Sequence, residues 1–505
     1  MSTVELESDE RSQDLVIEDS WSAPNRYSAM TGQQLSSIPT EIYLEFIAYI
    51  QPTPATMSSI RSYTARRKLS ELRRNDLRRL SRTCRFLRTA ISPILFESIE
   101  FCSDPDEKDL VKNPMLGSFV ASLNREENAA SALALHVKVL ILRRGPDWWR
   151  DDSVMSYSTA FSKLRHLESV MLADVLPFPL LLGLSPNITS LTINRCAIDT
   201  VPVDLIRKAE FHFRLKTFRL YHTTAMNPSV MEALSLLTTT VTELSTNVWS
   251  LIEKISSFDI IPPLEVLDLR VVRNLETLFD FLRLLPALKS LTLEDPTPEG
   301  VSKDTRFSLS CLKNLQNLTF PPSLVPWFHG PHNLSTLSLP SDTLTSLFLM
   351  RGQALRQPFP DYWLDLAQYQ SLSVLAIPYA IATQIRSGSD SDRPINLKLK
   401  KLSIIFSTQP RHLTFDKYLE MLSAVWASSS IRELHWVTYS EDDFMTLDES
   451  VPARFTEKQH FPELTLLSFH QHSQGRGGHG VFCDFRKNAR GIWKKVDEDV
   501  LINEY

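Results

Sequence analysis

From Val137 to Phe469 apolar residues recur in the pattern LxxLxL, and this spacing constrains the fold more than any other feature of the chain. Clear copies begin at Ile188, Leu215, Leu264, Leu288, Leu315, Leu334, Leu344, Leu372, Leu399, Ile431 and Leu464, with weaker ones at Val137 and Leu167. From Ile188 to Leu315 the copies stand 27, 49, 24 and 27 residues apart, and the 49 divides into 26 and 23 once Val241 with Leu244 is included. A fixed period of this length marks a stacked array of like units. In a short strand the residues at i and i+2 face one side, so the last two apolar positions of each copy point inward and the residue between them points out.

Such a unit buries its apolar side only against its neighbours, which predicts an α/β solenoid with a parallel sheet on its concave face. The intervening stretches VPVDLIRKAEF, NLETLFDFLRLL and DKYLEMLSAVW read as helices of the convex face, with Asn274 and Asp416 as caps. The period is that of leucine-rich repeats, and the copies resemble the degenerate class without a regular Asn ladder. Past Leu399 the spacing stretches to 32 and 33 residues, so irregular turns are expected there. The remaining alternative is a series of unrelated βα units, which keeps the α/β class.

Composition narrows the function. A formal charge of −5 does not suggest a nucleic-acid binder. No apolar run reaches the roughly 18 residues of a membrane span, and the acidic opening MSTVELESDE is unlike a signal peptide. The cysteines, Cys84, Cys102, Cys196, Cys311 and Cys483, are scattered and odd in number, which predicts reduced thiols and an intracellular protein, in cytoplasm or nucleus. Only 13 glycines occur, few for phosphate-cradling loops. The segment FHQHSQGRGGHGVFCDF gathers His470, His472, His479, Cys483 and Asp484, but its spacing fits no closed zinc pattern, and a turn ending the solenoid is expected. Its glycines precede no GK[ST], and no GxSxG, HExxH or kinase signature is present. The expectation is therefore a non-enzyme with no catalytic residue, metal or cofactor. Trp148 and Trp149 are read as packing residues.

Ahead of the array lie two amphipathic half-motifs, IPTEIYLEFIAYI (Ile38 to Ile50) and DLRRLSRTCRFLRTAISPILF (Asp76 to Phe96). Ile42, Phe46, Ile47 and Ile50 recur at helical spacing after Pro39, which suits a first helical turn. Leu77, Leu80, Cys84, Leu87 and Ile91 form a second stripe. These residues resemble the F-box family. Ile38-Pro39-Thr40-Glu41-Ile42 matches its opening, and Leu77, Leu80, Ser81, Cys84, Arg85, Phe86, Ala90, Pro93, Leu95 and Phe96 match its closing half. Residues 51–75 stand as an insertion between the halves, and a longer surface loop adds little closure entropy.

The resemblance implies docking to a Skp-type adaptor through Ile38, Pro39, Glu41, Ile42, Leu77, Leu80, Cys84 and Phe86, and through it membership of a cullin–RING ubiquitin ligase. The expected organisation is a disordered acidic tail over residues 1–33, the F-box over 34–100, a helical connector over 101–136, the solenoid over 137–470 and a cap or tail over 471–505. An unknown protein target would meet the outward strand positions, including Thr192, Arg219, Tyr221, Asp268, Arg270, Thr292 and Glu294. The rival expectation is a repeat scaffold acting outside any ligase. The basic stretch Arg61 to Arg88 is read first as the solvated face of the second half-motif, with an import signal as the alternative.

Overall fold

In the computed structural model, the structure describes residues 26–27, 34–35, 40–50, 74–102, 114–143, 153–174, 187–196, 213–221, 228–258, 261–294, 306–329, 332–339, 369, 371–378, 382, 398–406, 430–438, 451, 461, 463–472, 479–488 and 491–496. The expected copy at Leu344, the helices over 201–211 and 416–426, and Trp148 and Trp149 lie outside these. So do Ile38, Pro39, residues 51–73 of the insertion and most of the acidic tail.

The chain opens with a short antiparallel pair, β1 (Arg26–Tyr27) with β2 (Gln34–Leu35). Three helices follow: α1 (Thr40–Ile50), α2 (74–81) and α3 (Arg85–Phe96). They enclose a small apolar cluster of Ile47, Leu77, Ala90 and Ile91, with Leu80, Leu87, Ile94 and Leu95 packed on it. Cys84 caps α3, its Sγ accepting from the Leu87 N–H at 3.5 Å. Arg74 donates to the carbonyls of Leu95 and Ser98 at 3.2 and 3.4 Å, tying the helices to the first strand of the main sheet.

That sheet comprises β3 (Ser98–Cys102), β4 (Val139–Arg143), β5 (Ser169–Ala173), β6 (Ser190–Asn194), β7 (Thr217–Tyr221), β8 (Glu243–Thr246), β9 (Val266–Leu269), β10 (Ser290–Leu293), β12 (Asn317–Thr319), β14 (Thr336–Ser338), β15 (Val374–Pro378), β16 (Lys401–Phe406), β17 (Glu433–Thr438), β18 (Leu466–His472), β19 (His479–Lys487) and β20 (Trp493–Val496). Its 16 strands lie side by side in chain order, and neighbours pair in parallel except at β18–β19 and β19–β20, where β19 alone runs the other way. Two-residue strands β11 (Phe307–Ser308) and β13 (Phe328–His329) pair separately.

Every apolar residue of the expected triplets that the structure describes is buried, from Val137 to Phe469. Registration is equally regular. Leu191, Phe218, Leu244, Leu267, Leu291, Leu318, Leu337, Leu375, Leu402, Leu434 and Leu467 are direct partners across successive strands. Just before each strand one carbonyl accepts two N–H groups from the next unit: Glu168 O from Thr189 and Ser190, Thr189 O from Lys216 and Thr217, and so on to Arg432 O from Thr465 and Leu466. In place of an Asn ladder, Thr189, Thr242, Ser335, Ser373 and Thr465 add a hydroxyl donor to the same carbonyls.

Helices cover the core side in the first half: α4 (Pro114–Asn124), α5 (Asn128–Ala134), α6 (Ser153–Ser162), α7 (Pro228–Leu236), α8 (Trp249–Ser256) and α9 (Leu275–Arg283). In α9 the spacing of Leu275, Leu278, Phe279 and Leu282 puts one apolar face on the core, and Asn274 caps it as expected, accepting from the Thr277 N–H at 3.1 Å. Between β10 and β14 the described covering turns are 3₁₀ segments at Leu309–Cys311 and Pro322–Trp327. Phe279, Phe307, Phe320 and Phe328 fill the space there, ring centroids 5.2 to 5.9 Å apart.

The sheet runs past both ends expected for the array. It begins at Ser98, because Ile99 and Phe101 supply the inward positions without the leucine signature. At the far end β18, β19 and β20 form an antiparallel extension through Val496, with Cys483 and Phe485 buried against the core. The His- and Gly-containing stretch thus falls at a hairpin, residues 473–478 being outside the described chain.

If stacking of this row holds the array, Leu291→Ala should cost about 2–5 kcal/mol, and its outward neighbour Thr292→Ala within about 0.5 kcal/mol of nothing. Urea-unfolding midpoints of the two variants check the contrast.

Candidate interaction surface

Strand alternation sorts side chains into two faces. Opposite the core, one aligned row reads Thr192, Arg219, Ser245, Asp268, Thr292, Thr319, Ser338, Ala376, Ser403, His435 and Ser468. Most are short hydroxyl residues, so little bulk rises from the sheet. A second row at the strand ends carries Asn194, Tyr221, Arg270 and Glu294. The expected contact positions Arg219, Tyr221, Asp268, Arg270, Thr292 and Glu294 thus fall on one face within four neighbouring strands and the residues that follow them.

The middle of this face is a linked polar cluster. Tyr221 donates its hydroxyl to Ser245 Oγ at 2.6 Å, and Ser245 in turn donates to Asp268 Oδ2. The Arg270 guanidinium lies over the Tyr221 ring, 4.3 Å from its centroid, and its Nε stands 4.0 Å from Glu294 Oε2. Arg219 is exposed beside Ser245. Asn194 Oδ1, Asp268 Oδ1 and Arg270 Nε make no hydrogen bond among the described residues. The cluster therefore holds its shape through internal bonds, and these three atoms lie buried within it.

Ser245 is the member that sequence reasoning missed. Its unit has Thr246 where the others have a third apolar residue, which weakens the repeat signal. The structure shows why threonine suffices: it is buried, and its hydroxyl accepts from the Val248 N–H at 2.9 Å.

Toward the end of the row, Ser468 donates to Asp484, and His435 Nε2 lies 3.4 Å from Glu433 Oε2. His435, Ser468 and Asp484 are all buried. Ser468 sits between the other two across the strands, so its hydroxyl is bonded directly to the carboxylate with the imidazole on its other flank. This is the reverse of a relay in which histidine separates serine from acid. Among the described residues no group of three or more His, Cys, Asp or Glu is placed to hold a metal ion. No described helix is long and apolar enough to cross a membrane.

The second candidate surface is on the amino-terminal helices. Ile42, Leu44 and Phe46 are 52%, 44% and 56% exposed on α1, whereas Ile47 faces the helical cluster. Tyr43 meets the edge of Phe86, centroids 5.1 Å apart, joining α1 to the start of α3. Of the expected adaptor contacts, Ile42 is open, Cys84 and Phe86 are half-buried, Leu80 packs partly on the cluster, and Leu77 is 4% exposed within it. Leu77 thus holds the helices together. Glu41 is the second residue of α1, its side chain outside the described set.

No family model matches the chain, and no curated protein matches it. Among solved structures, the crystal structure of a TLR13–ssRNA13 complex is similar at 16% identity over 66% of this chain and 48% of that one, with a TM-score of 0.31. The chain spans about half the length of that protein, and a likeness this distant carries no argument about fold or function.

Ser245→Ala should remove the acceptor of Tyr221 and the donor to Asp268 together, costing about 1–3 kcal/mol. Arg219→Ala, at an exposed position, should change stability by no more than about 0.5 kcal/mol. Denaturant titration of both variants gives the comparison.

Proposed function

We propose that this chain is a non-catalytic substrate receptor: its amino-terminal helices bind a Skp-type adaptor, and the outward face of its sheet binds a protein target for ubiquitin transfer by other subunits. The observation that supports the first half is the exposed apolar pair Ile42 and Phe46, one helical turn apart on α1, in helices whose sequence resembles an F-box. Isolated apolar side chains are ordinary on a protein surface, but Ile42 and Phe46, four residues apart, share one side of the helix and together make a small patch suited to partner burial. What supports the second half is the pre-formed polar cluster around Tyr221 and Ser245, flanked by small hydroxyl residues that leave room for another chain. Tyr and Arg are the residue types that most often anchor interfaces.

The mechanism needs no chemistry in this chain. Holding target and transfer machinery on one molecule raises their effective concentration, to the millimolar range for short tethers. Ile38, Pro39 and Glu41 belong to the proposed adaptor contact by resemblance.

The second reading is a repeat scaffold that uses the same face outside a ligase, favoured by the location of the polar cluster on the array alone. Co-purification with a Skp-type adaptor separates the two. Wild type should retain the adaptor, and Ile42→Asp with Phe46→Asp should weaken retention by about tenfold or more while leaving the unfolding midpoint in place. No retention by wild type would leave the scaffold reading standing.

A further inference from the structure

The arginines of the helical hairpin form a charged surface that the described chain does not neutralise. Arg78, Arg79, Arg82, Arg85 and Arg88 are all exposed. Arg79 has Asp76 at 3.6 Å, and Arg78 donates to Asn75 Oδ1 at 3.3 Å. Among the described residues Arg82, Arg85 and Arg88 make no ion pair. Arg85 and Arg88 also sit at the start of α3, whose first turn carries no acid and whose cap is a thiol. The positive end of a helix dipole is the unfavourable place for cations. An anionic occupant would relieve both effects. Through the Tyr43–Phe86 contact, this surface adjoins the exposed apolar side chains of α1.

Residues 1–20 have the matching chemistry. They carry Glu5, Glu7, Asp9, Glu10, Asp14, Glu18 and Asp19 against one Arg11, interleaved with Leu6, Leu15, Val16 and Ile17. We infer that this acidic, apolar segment docks on the arginine surface of α2 and α3 and on the Ile42–Phe46 stripe of its own chain. About twenty residues separate it from α1, a length that spans at most about 65 Å, while α1 itself is about 16 Å long. The β1–β2 pair shortens that tether without preventing contact. Individual exposed ion pairs are weak, but the tether holds the segment at an effective concentration near the millimolar range, where several weak contacts suffice. On the receptor reading above, the segment competes with the adaptor for α1; that consequence rests on the reading, and the contact does not.

Hydrogen exchange on the full chain, with no adaptor present, tests the contact. The comparison is wild type, a variant with Glu5, Glu7, Glu10 and Glu18 changed to Gln and Asp9, Asp14 and Asp19 to Asn, and a second variant, Arg82→Gln with Arg85→Gln and Arg88→Gln. Residues 40–50 and 74–96 should exchange about tenfold faster in both variants, and in wild type near 1 M salt, where screening shortens to about 3 Å. The strands of the main sheet should exchange alike in all samples, which controls for folding. A synthetic peptide of residues 1–20 should restore slow exchange to the first variant and not to the second. Equal exchange of wild type and the first variant at low salt overturns the inference. So does an effect of the first variant that the second lacks, or protection that rises with protein concentration, which would place a second copy's segment on the surface.

Discussion

Each unit of this array has one apolar side and nothing of its own to bury it against. A strand of three to seven residues with its covering segment removes little surface from water alone, so stability is collective and passes through the row of Leu191, Phe218, Leu244, Leu267, Leu291 and their successors. The doubled N–H donation to one carbonyl per unit keeps neighbouring strands in the register that lines up this row. A slip of one residue would turn the whole set outward, which is why register is the strongly specified quantity here.

The same alternation that buries the leucines dictates what the opposite face can be. Positions between two buried residues are free of packing demands, and in this chain serine and threonine hold most of them. Around Tyr221 those positions instead carry charge and hydrogen bonds. The cluster satisfies most of its own polar groups, which fixes its geometry within the chain, and on the proposed reading such a pre-ordered surface would lose less entropy on binding. The amino-terminal helices solve a different problem: three short helices share a core of a few residues, and Ile42, Leu44 and Phe46 on α1 are left outside it.

Much of the array was legible in the sequence because its signal is physical repetition. Where the signal failed, the chain meets the same need with other residues. Ile99 and Phe101 begin the sheet without leucine, and Thr246 replaces a core residue because its hydroxyl finds a backbone donor. The antiparallel ending at β19 and β20 was not legible, since a hairpin buries Cys483 and Phe485 by pairing back on β18, outside the repeat period. At the surface, residue spacing placed Arg219, Tyr221, Asp268 and Arg270 on one side but gave no sign that Ser245 links them, because a bridging hydroxyl depends on cross-strand neighbours distant in sequence. Leu77 shows the converse: periodicity put it on an apolar stripe, and only packing shows that the stripe faces inward.

All of these conclusions depend on which way each strand faces, and thiol reactivity along β7 measures that directly. Single cysteines at Thr217, Phe218, Arg219, Leu220 and Tyr221, read against the native thiols as background, should alternate. Position 219 should label fast, with 217 and 221 intermediate, while 218 and 220 should stay protected until the protein unfolds. Uniform labelling, or protection at 219 with reactivity at 218 and 220, would contradict the assignment of faces and the interaction surface built on it.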